Sequence, residues 1–246
     1  MDLAAACGLD LLPWQQLALR NALGERGNKW AAFEVVAILP RQNGKNVIIT
    51  ARQLAGLFLF EEEQQVHTAH KFKTAKKAHR DLVACIERQP ELWSSVKSAP
   101  TSSENTAVVL HNGNRVDFLA RQGGQGRGLS GDTVYLDEAF QLSPEVVGDL
   151  LPTLSARPRP QLWYTSSAPM ETSQVLEELE SRAHDTPERE AFYAYFEWVA
   201  DLSLHNRDSP EAAAMANPSM GYYQDWEWIS GTEMRSMTEE QYNRER

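Results

Sequence analysis

The chain has 246 residues, of which 42% are hydrophobic and 24% are charged, with two cysteines and a formal net charge of −10. This composition excludes a disulfide-rich secreted domain, a disordered chain and, because no apolar run approaches ~20 residues, a membrane-spanning protein. Residues 1–170 hold 18 basic and 17 acidic side chains, whereas residues 171–246 hold 6 and 17. Proteins that coat nucleic acid are usually basic overall, so any nucleic-acid contact here must be local, transient or shared between subunits.

The N-terminus and the cysteines bear on the cellular compartment. Met1 is followed by neither a basic segment nor an apolar core, so we expect no signal peptide. Cys7 and Cys85 are too few for a disulfide framework and match no metal-binding spacing. We therefore expect the protein to work in a reducing cytoplasm, without a membrane partner.

The pattern of apolar and turn residues predicts alternating helices and strands. Residues 1–12 are predicted to be a loosely ordered start, and Pro13 suits the first position of a helix that ends at Gly24. The next predicted elements are a buried strand at 33–39, a helix at 47–60, a strand at 64–69, a helix at 72–88 and a polar connection at 90–104.

The second half of the chain continues the alternation. Asn112-Gly113 separates two β-rich runs, which predicts a β-hairpin over 107–119. The elements predicted after it are a glycine-rich stretch at 123–131, strands at 133–136 and 161–165 with a helix at 143–156 between them, a helix after 173, an aromatic strand at 192–198 and a charged helix at 234–246. Strands that alternate with helices predict a mostly parallel α/β sheet with helices on both faces.

The most informative stretch is residues 39–46 (LPRQNGKN), which we call the Gly-Lys loop. A buried strand that turns at Gly-Lys into a helix presents backbone N–H groups and a lysine to an anion. The loop departs from the pattern G-x-x-x-x-G-K-[S/T], because Leu39 replaces the first glycine and Asn46 replaces the hydroxyl that binds Mg²⁺. The alternative is an ordinary strand-to-helix turn with an exposed lysine.

Polar residues follow two further strands, as Asp137-Glu138 and as residues 165–167. Ligands of parallel α/β sheets bind outside the carboxyl ends of the strands, so we expect these groups to converge on the Gly-Lys loop. A carboxylate pair beside such a loop suits ATP hydrolysis, with one carboxylate on Mg²⁺ and the other on the attacking water. The alternative is an acidic capping pair after an edge strand.

Four segments resemble, in the correct order, motifs of the large terminase subunit of tailed bacteriophages. Residues 13–15 resemble its adenine-contacting motif, 39–45 its phosphate loop, 133–139 its Walker B strand and 164–169 its coupling motif. In that family the phosphate loop often carries an early arginine and lacks the first glycine. The resemblance covers residues 12–170 and implies a P-loop NTPase of the additional-strand (RecA/ASCE-like) type, with ATP and Mg²⁺ as cofactors.

The resemblance also implies roles for individual residues. Lys45 would hold the β- and γ-phosphates, Asp137 the Mg²⁺, and Glu138 the attacking water. Asn46 would be a weaker metal ligand than the usual serine or threonine. The other implied nucleotide-binding residues are Trp14, Gln15, Arg41, Gln42, Asn43 and Gly44, and the implied coupling residues are Thr165, Ser166 and Ser167.

Arg127 lies in the glycine-rich stretch, where residues without side chains let a loop approach a ligand closely. It resembles the terminase arginine that reaches the γ-phosphate of a neighbouring subunit, and an arginine finger of this kind can raise the rate ~10³–10⁵-fold. The alternatives are an arginine that senses nucleotide within its own subunit, Arg41 as the finger, or a surface residue in a loop.

Two other groups of side chains are less specific. Four basic side chains are spaced so that they share one face of a helix. This face is either a solvated surface or a contact to DNA or to another subunit. The members of this basic set are Lys73, Lys76, Lys77 and Arg80. His67 and His70 have no matching acid or cysteine cluster, so we expect no metal site there.

The function implied by the resemblance is ATP hydrolysis that drives double-stranded DNA into a procapsid. The implied assembly is a ring of subunits on the portal, with the small terminase subunit as a partner, in the host cell cytoplasm. We expect an ATPase core at 1–170 and a lid-like extension and linker at 171–246, without room for a nuclease domain. The alternatives are another P-loop ATPase such as a superfamily 2 helicase-like motor, or a nucleotide-binding assembly module with weak catalysis.

Overall fold

The computed structural model describes residues 1–102, 105–121, 130–169, 172–185 and 192–243. The strands in these ranges are β1 (Glu25–Arg26), β2 (Lys29–Trp30), β3 (Glu34–Ile38), β4 (Gln64–Ala69), β5 (Val96–Ser98), β6 (Ala107–Leu110), β7 (Arg115–Ala120), β8 (Thr133–Asp137), β9 (Gln161–Ser166) and β10 (Tyr193–Glu197). The α-helices are α1 (Asp2–Ala6), α2 (Pro13–Ala22), α3 (Lys45–Phe58), α4 (Phe72–Glu87), α5 (Pro90–Trp93), α6 (Pro144–Leu154), α7 (Gln174–Asp185), α8 (Pro210–Ala216), α9 (Trp226–Trp228), α10 (Met234–Ser236) and α11 (Glu239–Asn243). A 3₁₀ turn covers Ala139–Gln141, and a π-helical turn covers Ile229–Glu233.

Eight strands form one sheet in the order β10-β3-β9-β8-β4-β7-β6-β5. Neighbours from β10 to β7 are parallel, and the β7–β6 and β6–β5 pairs are antiparallel. The predicted α/β class with a mostly parallel sheet is therefore confirmed. β9 lies between β3 and β8, so it separates the strand before the Gly-Lys loop from the strand that ends at Asp137.

Helices cover both faces of the sheet because successive strand residues point to opposite sides. Val36 and Leu136 pack with α6 and α7 on one face, whereas Val35 and Trp163 pack with α2 and α3 on the other. Each fully buried side chain of this size contributes ~1.5–3 kcal/mol through loss of apolar surface from water. This two-sided core fixes the strand ends that carry the polar groups.

A buried arginine ties α3 to the amino ends of the central strands. Arg52 is fully buried and donates two hydrogen bonds to the Glu62 carboxylate, at 3.1 and 2.6 Å. It also donates to Gln161 at 3.0 Å and to Thr133 at 2.7 Å, and those residues begin β9 and β8. The cluster sets the distance between α3 and the sheet at the end opposite the Gly-Lys loop.

Most of the predicted helices, strands and the hairpin are confirmed, but the start of the chain is not loosely ordered. Residues 2–6 form α1, with Ala4 and Cys7 buried against the core. Arg88 donates to the carbonyls of Cys7 and Gly8 at 3.3 and 3.1 Å, which satisfies the end of this short helix. The predicted polar connection at 90–104 likewise contains α5 and β5.

The chain beyond residue 170 returns to the sheet. β10 pairs in parallel with β3, with Tyr193 opposite Glu34 and Glu197 opposite Ile38. The predicted helix at 234–246 is divided into α10 and α11. The boundary predicted at residue 170 stays a prediction. Across the described ranges, no helix combines the length and apolarity of a membrane span.

Candidate functional site

The polar groups predicted at three strand ends meet around one cavity of about 820 Å³. Its volume lies within the ~300–1,000 Å³ typical of small-molecule sites. The cavity is open at the carboxyl edge of the sheet, where β3, β8 and β9 end. Its lining includes Arg41, Gln42, Asn43, Gly44, Lys45, Asn46, Asp137, Glu138, Phe140, Ser167 and Tyr223.

The Gly-Lys loop turns sharply because two of its residues adopt left-handed backbone conformations, with φ of 63° at Gln42 and 80° at Gly44. A Cβ atom at Gly44 would lie 2.7 Å from Cε2 of Tyr223 and 2.8 Å from Nε2 of Gln15. Glycine is therefore required by both the backbone angle and the close approach. Gly44 caps α3, so the N-terminus of this helix, with its partial positive charge, opens on the cavity.

Asp137 is buried at the tip of β8 and lies close to Lys45. Its Oδ1 is 3.8 Å from Nζ of Lys45 and accepts hydrogen bonds from Thr165 Oγ1 at 2.8 Å and from the Glu138 amide at 2.9 Å. Burial alone raises the pKa of Asp137, but Lys45 and these hydrogen bonds lower it by more, so the pKa lies below its ordinary value. The carboxylate is therefore charged at neutral pH.

Glu138 follows directly and sits in a left-handed conformation, with φ of 55°. Its Oε1 accepts a hydrogen bond from Thr74 at 3.3 Å. Its Oε2 is shielded from solvent and has no hydrogen-bond partner among the described residues. A strained backbone and an unsatisfied carboxylate oxygen at the edge of a cavity are features of functional sites.

Two side chains beside this carboxylate pair were not predicted to belong to the site, although His67 had been considered as a metal ligand. Arg121, one residue after β7, donates to the carbonyls of Asp137 at 2.5 Å and Glu138 at 3.1 Å, which holds the end of β8. Burial lowers the pKa of Arg121 to about 10, so the guanidinium stays charged at neutral pH. Its place at the end of a β-rich run, like that of Asp137, was the signal that could have found it.

His67 is the second of these neighbours and is fully buried in β4. Its Nδ1 lies 3.1 Å from the Gln53 amide nitrogen, and its Nε2 lies 3.9 Å from Oδ2 of Asp137. Burial lowers the pKa of His67 to about 4, and Arg121 adds to this effect against the opposing charge of Asp137. The ring is therefore neutral at pH 7.

The end of β9 connects the site to the 3₁₀ turn after β8. Thr165 is bonded to Asp137, and Ser166 Oγ accepts a hydrogen bond from the Phe140 amide at 3.1 Å. Ser167 lines the cavity itself. The three predicted coupling residues thus lie together at the end of β9, with Thr165 and Ser166 buried beside the carboxylate pair and Ser167 in the cavity wall.

Gln15 contacts the Gly-Lys loop directly, and Trp14 contacts Ser219, which is itself bonded to the loop. Gln15 is buried, accepts from the Leu12 amide at 2.8 Å and donates to the Gly44 carbonyl at 3.1 Å. Trp14 donates to Ser219 Oγ at 3.0 Å and packs edge-on against Trp198, with ring centroids 4.9 Å apart. Both side chains support the loop in this structure, and their predicted contact with adenine stays a prediction.

A C-terminal segment, residues 217–224, is bonded to the front of the same loop. Nδ2 of Asn43 donates to Oδ1 of Asn217 at 2.7 Å, and Oδ1 of Asn43 accepts from the backbone N–H of Ser219 at 3.1 Å. Ser219 Oγ donates to the Asn43 carbonyl at 2.7 Å, and Gln224 donates to the Arg41 carbonyl at 2.9 Å. These partners are more than 170 residues apart in sequence, so no local pattern could have indicated them.

The remaining predicted residues are dispersed. Arg127 lies outside the described residues. Of the basic set on α4, Lys77 lines the cavity and pairs with Asp81 at 2.5 Å. Lys73 and Arg80 are exposed on the same helix, and Lys76 is half-buried. Their predicted contact with DNA or another subunit stays a prediction.

No protein-family model and no curated protein matches the sequence, but solved structures match the fold. The HK97 bacteriophage large terminase is 19% identical with a TM-score of 0.75, over 92% of this chain and 47% of that chain. The Thermus phage P74-26 large terminase ATPase domain is 16% identical with a TM-score of 0.65, over 98% and 94%. The large terminase of another thermophilic bacteriophage, in complex with ADP, is 14% identical with a TM-score of 0.52, over 76% and 46%.

The chain thus spans about half the length of the HK97 protein and of the ADP-bound terminase. At these identities the comparison establishes the fold, which is that of terminase ATPase domains. The predicted P-loop NTPase fold class and the resemblance to these domains are confirmed at that level.

Proposed function

We propose that this chain is the ATPase domain of a DNA-packaging terminase, and that it hydrolyses ATP to drive double-stranded DNA into a procapsid. The observation that carries this proposal is the convergence of Lys45, Asp137 and Glu138 on one cavity at the N-terminus of α3. These are the parts that phosphoryl transfer to water requires: a phosphate cradle, a metal carboxylate and a group that orients the water. The fold shared with terminase ATPase domains supports the assignment.

Each residue has a defined task in this proposal. Lys45 and the first amides of α3 bind the phosphate oxygens of ATP. Glu138, which lines the cavity, accepts a hydrogen bond from the attacking water through its carboxylate and orients it. Arg121 holds the Glu138 backbone through its carbonyl, and Thr74 donates to the Glu138 carboxylate, so this residue is positioned by two bonds.

The residues also fit Mg²⁺, which prefers oxygen ligands. Asp137 is kept ionised and supplies a carboxylate, and Asn46 supplies an amide oxygen in the first turn of α3. When bound, the metal would neutralise charge on the β- and γ-phosphates. Thr165 ties the Asp137 carboxylate to β9, so a change at the metal carboxylate is passed to Ser166 and Ser167.

The assembly is part of the proposal. A ring of subunits on the portal would bring Arg127 of one subunit to the nucleotide of its neighbour, with the small terminase subunit as a further partner. Mixing Arg127→Ala subunits with Glu138→Gln subunits should restore part of the ATP turnover if the arginine acts in trans. Two inactive variants that stay inactive when mixed at ring-forming concentration would contradict this arrangement.

Asn46 favours a second candidate, a nucleotide-binding assembly module with weak catalysis, since an amide is a poorer metal ligand than a hydroxyl. Steady-state ATP turnover of the wild type, Lys45→Ala and Glu138→Gln separates the two. We expect Glu138→Gln to bind ATP but to lose ~10²–10⁴-fold in kcat, as for removal of a general base. Lys97→Ala, on the exposed edge strand β5, is the matched lysine control and should keep wild-type turnover. Equal turnover in all four proteins would refute the enzyme and favour the module.

A further inference from the structure

Two aromatic rings line the cavity among the described residues, Phe140 and Tyr223. Phe140 packs against the core cluster beneath α6 and α7, and its backbone is bonded to Ser166. Tyr223 is 51% exposed and lines the cavity, so it is accessible to a ligand. Trp14, by contrast, is buried, with its indole nitrogen bonded to Ser219.

The position of Tyr223 relative to the loop defines which part of a nucleotide it meets. Its ring lies close to Gly44 at the start of α3, because a Cβ added there would be 2.7 Å from Cε2 of Tyr223 and 2.8 Å from Nε2 of Gln15. Asp137 and Glu138 mark the end of the cavity where the terminal phosphate reacts. Gln15 and Tyr223 form a separate group beside Gly44, directly before Lys45, and with the terminal phosphate at Asp137 and Glu138 we place the base of the nucleotide at this group.

The backbone that carries the ring is also held in place before any ligand binds. The Tyr223 amide donates to the Ser219 carbonyl at 3.0 Å, and Ser219 is bonded twice to Asn43. The next residue, Gln224, is bonded to the Arg41 carbonyl. A preorganised side chain loses less conformational entropy on binding, so more of the contact energy contributes to affinity.

We propose that Tyr223 is the surface on which the base of the bound nucleotide stacks, in the place that the sequence motif assigned to Trp14 and Gln15. The inference rests on the proposed binding of ATP at the Gly-Lys loop. Every base has an aromatic face, so stacking of this kind adds affinity without selecting one purine over another. Tyr223 would thus couple the 217–224 segment to occupancy of the site.

Calorimetric titration with ATP and with inorganic tripolyphosphate, both with Mg²⁺, separates base contacts from phosphate contacts. We expect Tyr223→Ala to raise the Kd for ATP about 10-fold, equivalent to 1.4 kcal/mol, and to leave the Kd for tripolyphosphate unchanged. Tyr223→Phe should bind ATP within twofold of the wild type, because it keeps the ring. Tyr222→Ala is the matched control, since Tyr222 is exposed but does not line the cavity.

Two results would overturn the proposal. Wild-type affinity of Tyr223→Ala for ATP would show that the ring makes no useful contact with the base. An equal loss of affinity for ATP and tripolyphosphate would show that the ring shapes the phosphate loop instead. Lys45→Ala tests the proposed function separately. Unchanged binding of tripolyphosphate by that variant would refute the proposed phosphate site. The contact of Tyr223 with the base would still be measurable with ATP.

Discussion

The hydroxyl of Thr165 offers a sharp test of how the site is held together. Thr165→Val keeps the shape of a fully buried side chain and removes its hydrogen bond of 2.8 Å to Oδ1 of Asp137. A hydrogen bond to a charged group contributes ~1.5–3 kcal/mol, and Asp137 keeps the Glu138 amide and Lys45 as partners. We therefore expect a loss of ~2 kcal/mol in the free energy of unfolding, or ~4–8 °C in Tm for a chain of this size.

Urea unfolding measures the loss of stability, and ATP turnover against Mg²⁺ concentration measures the effect on the site. Since Thr165 fixes the proposed metal carboxylate, Thr165→Val should raise the Mg²⁺ concentration for half-maximal turnover. Thr106→Val is the control, because Thr106 is also buried and donates to the Ser102 carbonyl at 2.7 Å, near β6. It should cost ~1 kcal/mol, as for a neutral hydrogen bond, and leave the Mg²⁺ dependence unchanged. A loss below ~0.5 kcal/mol in Thr165→Val, or the same Mg²⁺ dependence in both variants, would refute the reasoning.

Three further predictions concern stability. The pKa of His67 is about 4 in the folded protein against an ordinary 6.5, so on acidification the unfolded chain binds a proton before the folded one does. The free energy of unfolding should therefore fall by ~2–3 kcal/mol between pH 6.5 and pH 4.5. Urea unfolding of His67→Gln should lack this component, and an identical pH dependence in both proteins would contradict it. Arg52→Met should cost ~3–5 kcal/mol by leaving the Glu62 carboxylate buried without its partner, whereas a loss below ~1 kcal/mol would show that water reaches that carboxylate. Gly44→Ala should destabilise the protein by more than ~1 kcal/mol, because the backbone there is left-handed and a Cβ has no space. Gly148→Ala in α6, where a Cβ has open space, should stabilise it by ~0.5–1 kcal/mol, and thermal unfolding of both variants measures the two effects.

The sequence alone could predict the α/β class and the residues at the strand ends, because both follow from local patterns. Asp137 ends β8, Gly44 and Lys45 follow the short loop after β3, and parallel strands carry such residues to one edge. The helix α1 was missed although its alanines favour a helix, since it is short and gains its stability from packing that local propensity does not reveal.

The parts of the site that could not be predicted depend on long-range pairing. Arg121 reaches Asp137 only because β7 and β8 flank β4 in the sheet, an order that spacing along the chain does not specify. Ser219 and Tyr223 meet the Gly-Lys loop across more than 170 residues, and their segment has little regular structure to signal a role.

These long-range contacts bear on the division of the chain at residue 170. The edge of β3 that β10 covers would be left with unpaired backbone groups if the later residues were removed. The side-chain nitrogen of Asn43 would lose its bond to Asn217 and keep those to the Pro40 and Arg41 carbonyls, but its Oδ1 would lose the bond from Ser219. A buried polar atom left without a partner costs ~1–3 kcal/mol. Because Asn43 precedes Gly44, these losses fall directly on the loop proposed to hold the phosphates. The C-terminal residues therefore contribute to the shape of the proposed ATP site. A movement of the 217–224 segment would change the conformation of the Gly-Lys loop, to which it is directly bonded.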